Sequence, residues 1–249
     1  MSDWLIRALA ATREGRCLVL PGETLPGSGR ALALAPHPDD PDAVCVTLRA
    51  LQRGGWEVFW TVLTSGWSGV EDSFAGPGRD DKRRVREAEQ RESAGRFGLI
   101  EGRLVFLALQ EDERGELAPE GGNRDGLFSH LDRLMPDVVA LPCENDSNPT
   151  HSLTHRWFAE WAGRHDRPVI ALANEDPKTI DFRPGLEVVF DEAAAVWKAS
   201  LLDCHRSQSA RNLSIRGITF AERILKVNRK GEHWAERFQV ESFSDRPFV

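Results

Sequence analysis

Through the first two thirds of the chain, short apolar runs alternate with amphipathic or strongly charged stretches, the pattern of parallel strands joined by crossover helices. Arg30-Ala-Leu-Ala-Leu-Ala35 predicts a strand that ends at Pro36, and 41–53, with proline in its first turn, predicts a helix. A second strand over 56–63 gives out into 64–80, a Gly/Ser/Asp-rich stretch without period that predicts a long loop of the kind that lines a site. The charged 81–97 reads as a helix closed by Gly98. Strands over 103–107 and 138–141 each hand over to a polar segment, 110–126 and 142–148, and a helix over 150–164 follows. Strands are also expected over 168–173 and 186–190, and Asp191 is expected to cap a helix carrying Val196, Leu201 and Leu202 at helical spacing. The fold class these elements predict is α/β, a Rossmann-like, doubly wound, mostly parallel sheet with helices on both faces. One domain is expected over 1–249, with a core of about 28–173. Residues 174–185, which hold Pro177 and Pro184, would form a hinge into a C-terminal part, 174–249, that completes the fold and caps the site.

With 249 residues, 41% of them hydrophobic, the chain can bury a full-sized core. Its net charge is −7, and 32 basic residues are interleaved among 39 acidic ones, so no polyanion-binding surface and no nucleic-acid partner is expected. Residues 1–11 are amphipathic without the apolar core of a signal peptide, and no later run approaches the roughly 20 apolar residues that span a bilayer. A cytoplasmic protein without a membrane partner is therefore expected, with self-association into a homo-oligomer left open. Cys17, Cys45, Cys143 and Cys204 form no CxxC pair and lie mostly in apolar stretches, which predicts small buried hydrophobes rather than disulfides or metal ligands.

Candidate chemistry gathers after the first strand, at His37-Pro38-Asp39-Asp40. In open parallel sheets ligands bind beyond the carboxyl ends of the strands, where these residues fall. Two adjacent carboxylates beside an imidazole repel unless a cation sits among them, and imidazole and carboxylate both suit zinc. The turn would supply two ligands of a divalent-metal site and a spare carboxylate able to take a proton from a water. A third ligand is expected from the segment after 138–141, which carries His151 and His155, four residues apart and on one helix face. Either both ligate, or one ligates while the other meets substrate.

These residues resemble the LmbE-like or PIG-L-type N-acetylglucosaminyl deacetylases, whose hallmark is an HPDD motif followed by an acidic residue, here Pro36-His-Pro-Asp-Asp-Pro-Asp42. The resemblance extends through Leu63-Thr-Ser-Gly66, Arg86-Glu-Ala-Glu89 to Gly98, Val105-Phe-Leu107 with Asp112 beyond it, Lys198 to Gln208, and Trp234-Ala-Glu-Arg-Phe238. It implies zinc, or another divalent metal, held by His37, Asp40 and His151, with Asp39 as general base. The family's second motif, HPDH, is similar to Asn148-Pro-Thr-His151, so Asn148 stands where a histidine usually helps stabilise the oxyanion, a role an amide donor can share with His155. It further implies Arg86 near the sugar and Asp112 as an acidic substrate contact, while Trp67 is a candidate for stacking on a sugar ring. His205 and Gln208 are read as packing or supporting residues.

The function so implied is that of a zinc-dependent amidohydrolase, a carbohydrate N-deacetylase acting on an N-acetylated amino sugar such as an N-acetylglucosamine conjugate. The alternatives are a non-catalytic or altered-specificity sugar- or nucleotide-binding member of the same fold, and a phosphatase or nuclease using the same carboxylates on a harder metal. A Rossmann dehydrogenase is set aside, because Pro-His-Pro-Asp-Asp occupies the turn where a GxGxxG phosphate cradle would be needed.

Overall fold

The computed structural model describes residues 2–243 of the 249. Met1 of the expected amphipathic stretch and 244–249 of the expected C-terminal part lie outside the described residues. In chain order the elements are α1 (Asp3–Arg13), β1 (Leu18–Pro21), β2 (Arg30–Ala35), α2 (Asp40–Ala43), α3 (Cys45–Arg53), β3 (Glu57–Val62), α4 (Asp72–Ala75) and α5 (Arg79–Phe97). They continue with β4 (Leu104–Phe106), α6 (Asn123–Leu134), β5 (Val138–Pro142), α7 (Pro149–Ala162), β6 (Val169–Asn174), β7 (Leu186–Phe190) and α8 (Glu192–Leu202). Last come α9 (Arg206–Arg216), α10 (Phe220–Asn228), β8 (Arg229–Lys230) and β9 (His233–Phe243).

Nine strands form one sheet, with β4-β3-β2-β5-β6 as its parallel centre. Alternate residues of the central strands enter different cores, as the two-residue period of a strand requires. Ala31, Ala33, Val138, Ala140, Ile170 and Leu172 face a core with Leu5 of α1, Leu48 of α3, Phe97 of α5 and Leu201 of α8. Leu32, Leu34, Val139, Leu141, Val169 and Ala171 face the other, with Leu127 and Leu131 of α6 and Phe158 and Trp161 of α7. This is the doubly wound α/β architecture, and it explains why the central strands are apolar without interruption.

Several expectations shift. The helix expected over 41–53 is two pieces broken at Val44, whose φ of −123° is not helical. The long loop over 64–80 contains a single 3-10 turn at Trp67–Gly69 and the short α4, and it ends two residues early because α5 begins at Arg79. Helix α6, not expected, starts inside the polar 110–126 segment; Gly126 within it masks the pattern of Leu127 and Leu131. Val196 of α8 is 63% exposed, while Leu201 and Leu202 are buried. Of the four free cysteines Cys45, Cys143 and Cys204 are buried, and Cys17 is exposed.

Residues after 174 add β7 and β9 to the same sheet. Strand β9 runs antiparallel between β6 and β7. Its alternation is hidden in sequence because Glu236 takes an inward position beside Phe238 and Val240. Glu236 has work there: its carboxylate accepts the backbone N–H groups of Val46 at 3.0 Å and Thr47 at 2.8 Å, in the first turn of α3, and pairs with the buried Lys198 at 2.6 Å. Helix α3 has no side-chain cap of its own, so the last strand supplies the missing acceptors. Lys198 reaches back to the carbonyl of Ala43, which fixes α2 as well.

Glu236→Ala is expected to lower unfolding free energy by about 3–5 kcal/mol, because a buried ammonium loses its counter-charge. Urea denaturation measures this, and a cost under about 1 kcal/mol would contradict the account of a buried pair holding α3 to the sheet.

Candidate metal centre

Strands β2 and β5 are neighbours, yet the chain leaves them towards opposite faces: α3 packs into the first core and α7 into the second. Such a switch point opens a crevice beyond the strand ends. His37, Asp39 and Asp40 lie on one side of it, and the 143–151 segment on the other.

The structure brings His37, Asp40 and His151 together, with one donor atom from each within 4.8 Å of the others. Asp40 stands between the imidazoles, 3.5 Å from His37 Nδ1 and 3.7 Å from His151 Nε2. It also accepts the backbone N–H of His37 at 2.8 Å, which closes the turn. His151 is 2% exposed, and its Nε2 is buried without a hydrogen-bond partner. Two ligands on a tetrahedral ion at about 2.1 Å are about 3.4 Å apart, so spacings too long for hydrogen bonds suit a shared cation. An orphaned imidazole nitrogen facing a carboxylate, with a second imidazole beside it, fits zinc.

The other ring nitrogen is held from behind. Asp146 takes His151 Nδ1 at 3.1 Å and the backbone N–H of Asn148 at 2.7 Å, so the proton belongs on Nδ1 and the lone pair of Nε2 faces the cluster. Burial works against a charged His151, but Asp40 and the Asp146 hydrogen bond outweigh it and raise its pKa. Burial likewise penalises the Asp40 carboxylate, and His151 and His37 overcome that penalty, holding it well below the usual carboxylate range. The same attraction keeps Asp40 deprotonated, as a cation needs, and favours a second proton on His151 that a bound cation would displace.

Asp39 is placed by a strained backbone and two partners. Its φ of 104° is a conformation few side-chain-bearing residues adopt. Its N–H donates to Gln90 Oε1 at 2.8 Å, and its Oδ1 accepts from Arg86 Nη2 at 2.9 Å. Arg86 also donates to the carbonyl of Pro38. Gln90 itself is held by Asp42 at 3.0 Å, a fully buried carboxylate that also binds Ser93 and takes His205 Nε2 at 2.7 Å. The supporting role expected of His205 is thus a contact with Asp42. The Asp39 carboxylate keeps Oδ2 unengaged among the described residues.

His37, Asp39, Asp40 and Arg86 line a cavity of about 430 Å³ that also reaches Asn148, Gln208 and residues of α9 and α10. Asn148 caps α7, accepting Thr150 N–H at 2.9 Å through Oδ1. His155 is not brought to the cluster: it is buried one turn along α7, its Nε2 3.2 Å from Glu241 of β9. Trp67 lies under Arg79, 4.4 Å from its ring centroid, and the lining includes its neighbours Gly66, Ser68 and Gly69 instead. Asp112 is outside too. Backbone N–H groups of Glu116 and Arg114 lower its pKa, as expected of a carboxylate that closes a turn. Its neighbour Glu111 makes the contact that matters, accepting N–H groups of Ser65 at 3.1 Å and Gly66 at 3.2 Å. Asp146, Glu111 and Asp176, which also lines the cavity, carried no assigned role in the sequence. An acidic residue five positions before a ligand histidine is the one signal that could have marked Asp146.

Comparison with known proteins gives the family and the fold. The model of the family described as PIG-L, GlcNAc-PI de-N-acetylase, matches residues 32–162, just over half of the chain. No curated protein sequence matches. Among solved structures, an N,N'-diacetylchitobiose deacetylase from Pyrococcus horikoshii is 19% identical, with a TM-score of 0.70 over 86% of this chain and 84% of its own. The zinc-inhibited form of teicoplanin deacetylase Orf2 is 15% identical, with a TM-score of 0.62 over 87% of this chain and 100% of its own. GalB, the 4-carboxy-2-hydroxymuconate hydratase from Pseudomonas putida KT2440, is 15% identical, with a TM-score of 0.65 over 89% and 98%. At these identities the likeness is one of fold.

Gln90→Leu, which keeps the volume but removes both hydrogen bonds, is expected to destabilise the protein by about 1–3 kcal/mol. A denaturant midpoint that moves by less than about 0.5 kcal/mol equivalent would show that Gln90 does not hold the strained turn.

Proposed function

Since the chain belongs to the PIG-L, GlcNAc-PI de-N-acetylase, family, we propose that it is a zinc-dependent amidohydrolase that removes an acetyl group from an N-acetylated amino sugar. The observation that carries this reading is the orphaned Nε2 of His151 facing Asp40, with Asp39 next to it in sequence and fixed by Arg86. A divalent cation bound by His37, Asp40 and His151 would supply Lewis-acid polarisation of the amide carbonyl and acidify the attacking water.

Asp39 is the base. Its neighbour Asp40 faces the imidazoles, whereas Asp39 offers Oδ2 to a water beside the substrate carbonyl and later returns that proton to the leaving amine. Arg86 holds the opposite oxygen and the Pro38 carbonyl, so the carboxylate does not swing towards the cation site. Asn148 has committed Oδ1 to the helix cap, which leaves its Nδ2 as the donor for a developing oxyanion. His155 takes no step, because Glu241 engages it away from the cavity.

GalB shares the fold and is named for a hydration, so the fold alone does not set the reaction. Amine release from N-acetylated sugars, assayed with added zinc and with chelator, separates hydrolysis from hydration and from a non-catalytic binding role. Asp39→Asn, a residue type that tolerates left-handed backbone, is expected to lower turnover about 10²–10⁴-fold. It should keep one zinc per chain by elemental analysis, whereas His151→Ala should hold zinc more weakly and give it up to a chelator that leaves the unsubstituted protein loaded. Loss of zinc from Asp39→Asn would reverse the roles given to Asp39 and Asp40.

A further inference from the structure

Four arginines line the cavity, and only one of them is paired. Arg86 is engaged by Asp39. Arg211 and Arg216 of α9 and Arg223 of α10 line the same cavity, and among the described residues their guanidinium groups make no hydrogen bond or ion pair. They are close enough to act on one another: burial lowers the pKa of Arg223 most, Asp176 opposes it, and the charges of Arg216 and, after the opposing Asp39, of Arg211 lower it further. Lys178 also lines the cavity, and among the described residues its ammonium makes no ion pair. In a chain of net charge −7, whose other arginines mostly sit beside Asp or Glu, these cations have no ion-pair partner among the described residues, although Asp39, Asp40, Glu116 and Asp176 line the same cavity.

The helix that carries two of them is docked firmly. Glu89 of α5 accepts the N–H of Ser207 at 2.8 Å and its hydroxyl at 2.7 Å, and Gln208 donates to the Gly69 carbonyl at 2.9 Å. Like charges held together on fixed helices cost free energy unless an anion joins them. Arginine's planar fork matches phosphate oxygens in pairs, and the rim opens into the same cavity as His37, Asp39 and Asp40.

We propose that Arg211, Arg216 and Arg223 form a subsite for a phosphate ester carried by the amino-sugar substrate, so that the enzyme acts on a phosphorylated rather than a neutral sugar. This rests on the hydrolase reading for the identity of the sugar, and on the arginines alone for the anion. The phosphate is bound and not transformed; it orients the ring so that the acetamide meets Asp39.

Calorimetric binding of glucosamine 1-phosphate, glucosamine 6-phosphate and glucosamine to the full chain tests it. At least one phosphorylated sugar is expected to bind 30-fold or more tighter than glucosamine, an advantage that shrinks as salt is raised. Arg223→Gln should cut the advantage at least tenfold, and so should Arg216→Gln, whose exposed side chain makes loss of fold an inadequate explanation. Equal binding of all three sugars overturns the proposal, as does an advantage that survives both substitutions, since the phosphate would then be held by the cation or another group. The two readings fail separately. Phosphate-dependent binding through the arginines without amine release from any N-acetylated sugar sinks the hydrolase alone. Deacetylation with no preference for phosphate sinks the anion subsite alone.

Discussion

One carboxylate joins the two halves of the crevice. Asp40 closes the turn after β2 through the His37 N–H and faces His37 on its own loop and His151 on helix α7 across the switch point. For that carboxylate to reach both imidazoles, the chain must reverse between Pro36 and Asp40, and the reversal puts Asp39 at a φ of 104°. The strain is supported from behind by Arg86 and Gln90 of α5 and, through Gln90, by Asp42 and His205. A long, charged helix that reads in sequence as a solvated surface therefore has a buried face, Arg86, Glu89, Gln90 and Ser93, that builds the site. The same helix holds α9 through Glu89, so the turn at Asp39 and the arginine-lined rim share one support.

The central strands and the metal cluster were legible because each rests on a local signal. Apolar runs bounded by Pro and Gly mark β2, β3, β5, β6 and β7, and the HPDD tetrapeptide follows one of them. His151 and His155 were both candidates for the third ligand because they open a helix after another strand, and it was the family resemblance that singled out His151. Its neighbour His155 was not separable from it by spacing, since positions four apart share a helix face, and only the approach of β9 with Glu241 draws that ring away. Asp112 and Glu111 could not be told apart either. Which of two adjacent acidic residues faces the Ser65–Gly66 turn depends on loop conformation, and periodicity carries no information there. Strand β9 was obscured by Glu236, an inward charge paid back by Lys198 and the first turn of α3.

Charge is where sequence and structure differ most. Along the chain, basic and acidic residues are interleaved, which excludes a broad polyanion-binding face. Folding sorts them: Arg83, Arg84, Arg91 and Arg96 find carboxylates on their own helix turns, while Arg211, Arg216 and Arg223 line the cavity without an ion-pair partner among the described residues. A small anion at the rim of the crevice is consistent with both facts, because it needs three guanidinium groups in one place and no extended basic surface.

The central claim is that His37, Asp40 and His151 are the protein ligands of one zinc ion. X-ray absorption on the zinc-loaded protein reads the shell directly: the account predicts nitrogen and oxygen neighbours at about 2.0–2.2 Å with scattering from two imidazoles, falling to one in His151→Ala. A shell without imidazole, or one unchanged by that substitution, would contradict it.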